Sequence, residues 1–532
     1  MNYFDFHIHP TLKSTLKAGT PYDVKIPTQA VSGVIGMCTD LPQIVASQAN
    51  VGQLQRFDQT LLGVALYSME SVIAGDRLLN EVARKNKKLS KYVGVQRLEE
   101  IRDNRLKAYD YIRNVLLPDY EEKPEFKIVD RDTDLSNLDP NKIHVFFVLE
   151  GAHSLCNSSN TDFNAPEIIE NLRDLSARVP LLSINPTHMQ QSDICNHAYG
   201  IQLTNNAAFI PSGNGLTIEG KAVVQACFDL NICIDVKHMS LVARRQLFQQ
   251  VQDGTYRNPQ PVICTHAGFT GVPSADIHHY VIAFEQKGTA VKVVYGKPNH
   301  IAPNVEHRQR PAPTFNMSSI NLYDEEIVAI VRNGGLIGLS MDRRICGFVS
   351  QFDEDPFAFV DGETYLVDKE FFSVAEFQQL GIHAGNIRGR VNDAHCNLKS
   401  DLLEVSELPS MLEEFHRQQL MLQLKHYLQV CVGNGIELEE AQSRICIGSD
   451  FDGIINPFYC AMTVEDLEKF RKYLIKHFRD FLGRYADSRA WRDRLDLNRF
   501  AEQLFFRNGR DFVQQRLTAL QATRASVAAP VA

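Results

Sequence analysis

The chain has 532 residues, 44% hydrophobic and 22% charged, with 64 acidic against 55 basic side chains and a formal charge of −9. This is ordinary for a globular enzyme with a sizeable core; the absence of a long basic run argues against nucleic acid, and no apolar stretch reaches the length of a membrane span. Eleven cysteines, an odd number without a Cys-x-x-Cys pair, and a start that leaves no room for a signal peptide lead us to expect a cytoplasmic protein.

The first predicted strand, Tyr3-Phe4-Asp5-Phe6, ends in His7-Ile8-His9. Alternation along a strand puts His7 and His9 on one face, where two imidazoles can clamp one metal ion. A second strand is expected near 61–68, with 30–37 competing for the place. Residues of about 85–140 are charged and mixed and read as an insertion, with a basic cluster at 85–91.

The run Val145-Phe146-Phe147-Val148-Leu149 then leads into Glu150-Gly151. Val179 to Ile184 leads into Asn185-Pro186-Thr187-His188. Ile232 to Val236 reaches Lys237-His238, and Val262-Ile263-Cys264 reaches Thr265-His266. Helical stretches are expected at 222–230 and 241–251. Residues of about 275–318, with four prolines, read as a long loop, after which Asp324-Glu325-Glu326 marks an acidic helix start. Gly335 to Leu339 ends at Ser340-Met341-Asp342. A third insertion is expected at about 345–400. Finally Arg444-Ile445-Cys446-Ile447 opens into Gly448-Ser449-Asp450-Phe451-Asp452-Gly453.

Short, continuous Val/Ile/Leu runs are how strands covered on both faces read, and helical stretches lie between several of them. Eight such strands predict an α/β fold, a (β/α)8 TIM barrel with large loop insertions. It would span residues 1–520, followed by a flexible tail at 521–532. In that fold, functional side chains emerge at the C-terminal ends of strands. Taken singly, these residues have blander uses. Glu150 would also suit a helix start, His238 and His266 hydrogen-bonded core positions, and Asp450 or Asp452 a helix cap. However, an acid ending a wholly apolar strand is costly to bury unpaired, and packing alone would not set every one of these polar residues at a strand end.

Four stretches resemble the membrane (renal) dipeptidase family of zinc metallopeptidases, within the amidohydrolase-like barrels. They are Leu149-Glu150-Gly151-Ala152-His153-Ser154; Gly215-Leu216-Thr217 with Gly220 and Ile234 to Ser240; Ile447 to Gly453; and Phe505 to Phe512. The resemblance implies two zinc ions. His7 and His9 would hold one, Glu150 would bridge, and His238 and His266 would hold the other. It further implies a metal-bridging hydroxide that attacks a peptide carbonyl polarised by His188, with Asp450 as general acid/base.

Two positions depart from the family pattern. The first motif is usually His-x-Asp, and His9 stands where the Asp belongs, which puts occupancy of the first zinc site in question. The family's carboxylate-binding Arg is replaced by Ile320, which cannot form the bidentate pair that holds a carboxylate. Lys292, Lys297, Arg308, Arg310, Arg343 and Arg344 are substitute cations. The expected function is hydrolysis of a small amide, most naturally a dipeptide. The alternatives are an amidohydrolase or lactonase acting on a non-peptide substrate, and a catalytically silent metal-binding barrel. The expected partner is a small molecule or dipeptide, with no nucleic acid and no membrane; a homodimer stays open.

Overall fold

The computed structural model describes residues 1–16, 22–31, 41–75, 88–92, 95–130, 132–157, 164–200, 207–301, 315–347, 357–360, 363–381 and 408–527. Eight parallel strands form its centre: β1 (Asn2–Ile8), β2 (Gln59–Leu66), β4 (Ile143–Leu149), β5 (Leu181–Ile184), β6 (Cys233–Asp235), β7 (Val262–Ala267), β10 (Ile337–Leu339) and β13 (Ile445–Ile447), paired in that order. A short strand, β3 (Phe126–Ile128), adds to β4. Helices such as Ala165–Arg178, Ile218–Asp229, Leu241–Gln252 and Asp324–Arg332 follow strands as crossovers. This is the expected (β/α)8 architecture. The second strand falls at Gln59–Leu66, whereas its competitor at 30–37 lies largely outside the described residues.

The last seam, between β1 and β13, is not closed by a regular ladder. Asp450 donates its N–H to the His7 carbonyl and His9 donates to the Phe451 carbonyl, both at 2.9 Å. Below them, Asp5 accepts the Ser449 amide at 2.8 Å and the Ser449 hydroxyl at 2.5 Å.

The barrel interior is filled in layers. Phe4, Phe6, Leu61, Ala65, Phe146, Val148, Leu182, Cys233, Ile263, Leu336 and Cys446 form one buried cluster with Phe506, Phe512, Val513 and Leu517. The last three belong to the helix Asn508–Val527, which plugs the end opposite the strand C-termini. Tyr3, Ile8, Val64 and Phe147 instead join the large cluster between strands and helices. A register shift between Asp5 and Ile8 marks a bulge in β1. It lets Phe6 fill the interior while Ile8 faces the helices and the histidines on either side of it face inward. Gly338 and Gly448 allow close approach here, since a Cβ on either would lie within 2 Å of the Thr265 carbonyl oxygen.

Two expected insertions carry a second sheet. The expectation of a loop at 275–318 is corrected by an antiparallel hairpin, β8 (Val281–Lys287) and β9 (Ala290–Ile301). Its Gly288-Thr289 turn puts Gly288 at φ +61°, as tight two-residue hairpins demand. β12 (Glu363–Ser373) pairs with β9, and β11 (Phe357–Val360) with β12. Val291, Val293 and Tyr295 pack with Phe372 and Phe377 under this sheet. In the 85–140 stretch, Val95–Arg102 is helical and 108–121 forms a broken helix before β3. The long helix Leu408–Gly433 precedes the last strand, and Asn508–Val527 continues into the stretch read as a tail. No helix among the described residues is long and apolar enough to cross a membrane.

Candidate metal centre

The strand ends bring the predicted residues to one place. Glu150, at the end of β4, lies at its centre and is 3% exposed. Its Oε1 is 3.4 Å from His7 Nε2, 3.4 Å from His238 Nε2 and 3.7 Å from His266 Nε2, while its Oε2 is 3.4 Å from His9 Nε2. Asp450 Oδ1 lies 3.2 Å from His9 Nε2 and 4.0 Å from His7 Nε2. Two groups that could each hold a metal ion therefore share one carboxylate: His7, His9, Glu150 and Asp450 form one, and Glu150, His238 and His266 the other.

The local backbone explains how these side chains reach the centre. His238 and Asp450 have φ of +68° and +61°, left-handed values that are uncommon for any residue but glycine. In each case the chain leaves its strand by a turn that folds the side chain back over the barrel mouth. Asp452, also left-handed at φ +66°, stabilises the second turn: its carboxylate accepts the Gln48 and Ala49 amides at 3.0 and 2.8 Å and pairs with buried Lys13 at 2.8 Å.

The donor set fits cations. Nε2 atoms face each other at 3.2 Å between His7 and His9, and at 3.1 Å between His238 and His266. Ligands 2.0–2.1 Å from a tetrahedral zinc would sit roughly 3.3 Å apart, whereas two bare lone pairs at that spacing repel. The outer nitrogens are arranged to match. Thr265 donates its hydroxyl to Asp235 at 2.5 Å, and the same oxygen accepts Nδ1–H from His7 and from His266, each at 3.0 Å. Both rings thus present Nε2 to the centre, as outer hydrogen bonds to metal ligands do. Burial, together with the charge of nearby His188, pushes His238 down to about 3; burial and nearby His7 likewise hold His266 well down. Neutral imidazoles are what a metal requires. Burial would raise Glu150, but His188 and His7 outweigh it and keep the carboxyl well below its usual range. Asp450 is shifted upward by burial, which outweighs the pull of His9.

His188 joins the centre from beyond β5, with Nε2 3.5 Å from Glu150 Oε1. Its Nδ1 lies 2.5 Å from Oε1 of Glu70, a wholly buried carboxylate that also accepts the Tyr67 hydroxyl. Burial opposes a charge on His188, but Glu70 and Glu150 outweigh it and push the imidazole up to about 9. The reciprocal effect holds Glu70 at about 2 against its own burial.

The substitute cations are placed differently. Arg344 is bound by Asp342 at 2.6 Å and donates to the Ile454 carbonyl at 3.2 Å. Arg343 lies over the Tyr459 ring at 5.3 Å. Lys292 sits in β9 of the second sheet, while Arg308, Arg310 and the Lys297 side chain lie outside the described residues. His197 donates from Nε2 to the Phe209 carbonyl oxygen at 2.9 Å, and Asn196 accepts the Gly213 amide at 3.0 Å; both tie loops together. Glu70, Thr265 and Asp235 were not singled out in the sequence. Asp235 sits within a strand already identified and Glu70 follows the end of β2 by four residues, so the strand-end pattern would have reached these two, whereas Thr265 carries no such signal.

A parallel barrel that sets one carboxylate between two histidine pairs offers a place for metal ions. Residues 44–276 match the model of the membrane dipeptidase family (Peptidase family M19), a span that includes Glu150, His188, His238 and His266. Among solved structures, the chain is similar to a metallo peptidase from Rhodobacter sphaeroides liganded with a phosphinate mimic of the dipeptide L-Ala-D-Ala (12% identity, 97% of this chain and 99% of that one, TM-score 0.47). It is also similar to the probable dipeptidase PvdM from Pseudomonas aeruginosa (12% identity, 98% and 96% covered, TM-score 0.47). No curated protein matches the chain.

Proposed function

We propose that this protein is a zinc-dependent hydrolase that cleaves a small amide, a dipeptide before other substrates. The observation that carries this reading is the Glu150 carboxylate set between the His7–His9 and His238–His266 pairs. Zinc held by these residues would supply Lewis acidity toward the scissile carbonyl and a water of lowered pKa. His188 faces the same point and would donate from Nε2 to the carbonyl oxygen as charge develops. Asp450, at the rim of the cluster with 16% of its side chain exposed, would take a proton from water and return it to the leaving amine.

The test is hydrolysis of a dipeptide panel by zinc-loaded protein, each peptide with a free and an amidated C-terminus, alongside zinc stoichiometry. Cleavage of free acids alone supports a dipeptidase; no cleavage of any peptide despite two bound zinc ions would sink it. A second reading, an amidohydrolase or lactonase for a non-peptide substrate, is favoured by Ile320, a buried apolar residue where a carboxylate-binding arginine is expected. Against it, buried Lys237 brings its ammonium 3.2 Å from the Ile320 carbonyl oxygen, so a cation stands beside the vacated position. Indifference to the peptide's carboxylate would favour the second reading.

A further inference from the structure

Glu70 is an acid that the ligand sets do not use. Its side chain is wholly buried, and an ionised carboxylate in such a place must be paired. Three groups surround it: His188 Nδ1 at 2.5 Å from Oε1, His153 Nε2 at 3.9 Å, and the Tyr67 hydroxyl on Oε2. His153 is otherwise engaged, since its Nε2 donates to the Ser68 carbonyl at 2.7 Å. The close bond therefore belongs to His188, and Tyr67 fixes the carboxylate from the other side. Glu70 also begins the helix Ser71–Ala74, whose Ala74 amide donates to its carbonyl at 2.9 Å. The acid thus sits on backbone that is itself tied down.

An imidazole turns freely unless one nitrogen is anchored, and the anchor decides what the other nitrogen meets. Here the anchor is on Nδ1, and Nε2 points at Glu150 Oε1 3.5 Å away. The Tyr67 ring stands edge-on to His188, with centroids 5.0 Å apart at 63°, and blocks rotation away from that direction. The ring edge that carries Nε2 is thereby turned toward the place where the reacting carbonyl would lie.

We propose that Glu70 is a positioning residue of this centre: through Nδ1 it holds the His188 ring with Nε2 aimed at the substrate carbonyl oxygen. This rests on the hydrolase reading given above. Removing one donor to a developing oxyanion typically lowers turnover about 100-fold. Glu70→Gln should therefore lower kcat about 100-fold with KM within about 3-fold, and Glu70→Asp should recover part of the loss. The decisive comparison is in the His188→Ala background. There Glu70→Gln should cost nothing more, because residues acting as one unit are not additive.

The experiment uses the full chain with zinc, steady-state kinetics on the best-cleaved peptide, and 15N spectra of histidine-labelled protein with and without Glu70→Ala. The hydrogen-bonded Nδ1 proton of His188 should be present in wild type and lost in Glu70→Ala, at unchanged zinc content. An equal, additive loss in both backgrounds, or persistence of that proton signal without Glu70, would overturn the proposal. If wild type cleaves no substrate, the hydrolase reading fails and the assigned donor role falls with it; the spectra then report separately whether Glu70 still anchors the ring.

Discussion

At the residue scale, two side chains separate metal binding from chemistry. Asp450→Asn should keep the zinc content and lower kcat by a factor of about 10²–10⁴, the usual weight of general acid/base catalysis; steady-state rates beside metal analysis on the same sample decide it. Unchanged turnover would remove Asp450 from the chemistry. Thr265→Val should do the reverse, since its hydroxyl orients a ligand of each set. Zinc affinity should fall about 10–100-fold, read from competition with a chelating dye, whereas unchanged affinity would mean that the rings are held by packing alone. The residues that meet at the strand ends were legible in the sequence because each ends an apolar strand, where polarity is conspicuous. Thr265 was not, because a hydroxyl in a buried strand looks like any small residue until its three partners are seen.

At the element scale, the second sheet is joined to the barrel by buried acids. Glu370 of β12 accepts from the Ser319 amide at 2.9 Å, the Ser319 hydroxyl at 2.6 Å and the Tyr295 hydroxyl at 2.6 Å. Burial pushes it up to about 7, above its usual range near 4.5. The folded state therefore holds the proton more tightly than the unfolded chain. The stability from this group is fully present below about pH 4.5 and is lost as pH rises through about 7, by up to about 1.4 kcal/mol per pH unit within that window. Urea midpoints measured from pH 5 to pH 8 should fall, and Glu370→Gln should flatten that fall; an unaltered slope would acquit Glu370. This sheet was hidden in the sequence because four prolines between 298 and 313 outweighed the Lys287-Gly288-Thr289-Ala290 turn signal. Its strands also come from two segments separated by the barrel strand β10, and no local pattern reports such pairing.

At the scale of the whole molecule, the barrel is sealed at one end by its own last helix. Phe512 sits edge-on to Phe6, with centroids 5.8 Å apart. Phe512→Ala should destabilise the fold by about 3–5 kcal/mol while leaving the peptide preference of residual folded protein intact. Urea unfolding and kinetics on one preparation would test both, and a loss under 1 kcal/mol, of the order of a surface change, would show that the plug is loosely packed. The eight-strand order was legible because each parallel strand is a continuous apolar run. The role of Asn508–Val527 was not, since an amphipathic helix does not declare which end of a barrel it covers.

The seam between β1 and β13 has a further consequence. His7 and His9 stand on one side of it and Asp450 on the other, while two backbone bonds and the Asp5–Ser449 contact hold it together. An ion held by the histidines would draw the Asp450 carboxylate toward it and so tie the last strand to the first. It would close a loop of nearly the whole chain, the kind of tie whose entropic effect grows with loop length. Zinc loading should therefore slow amide hydrogen exchange most at 449–451 and least on the outer helices. The metal would then be a clasp of the fold as well as a reagent.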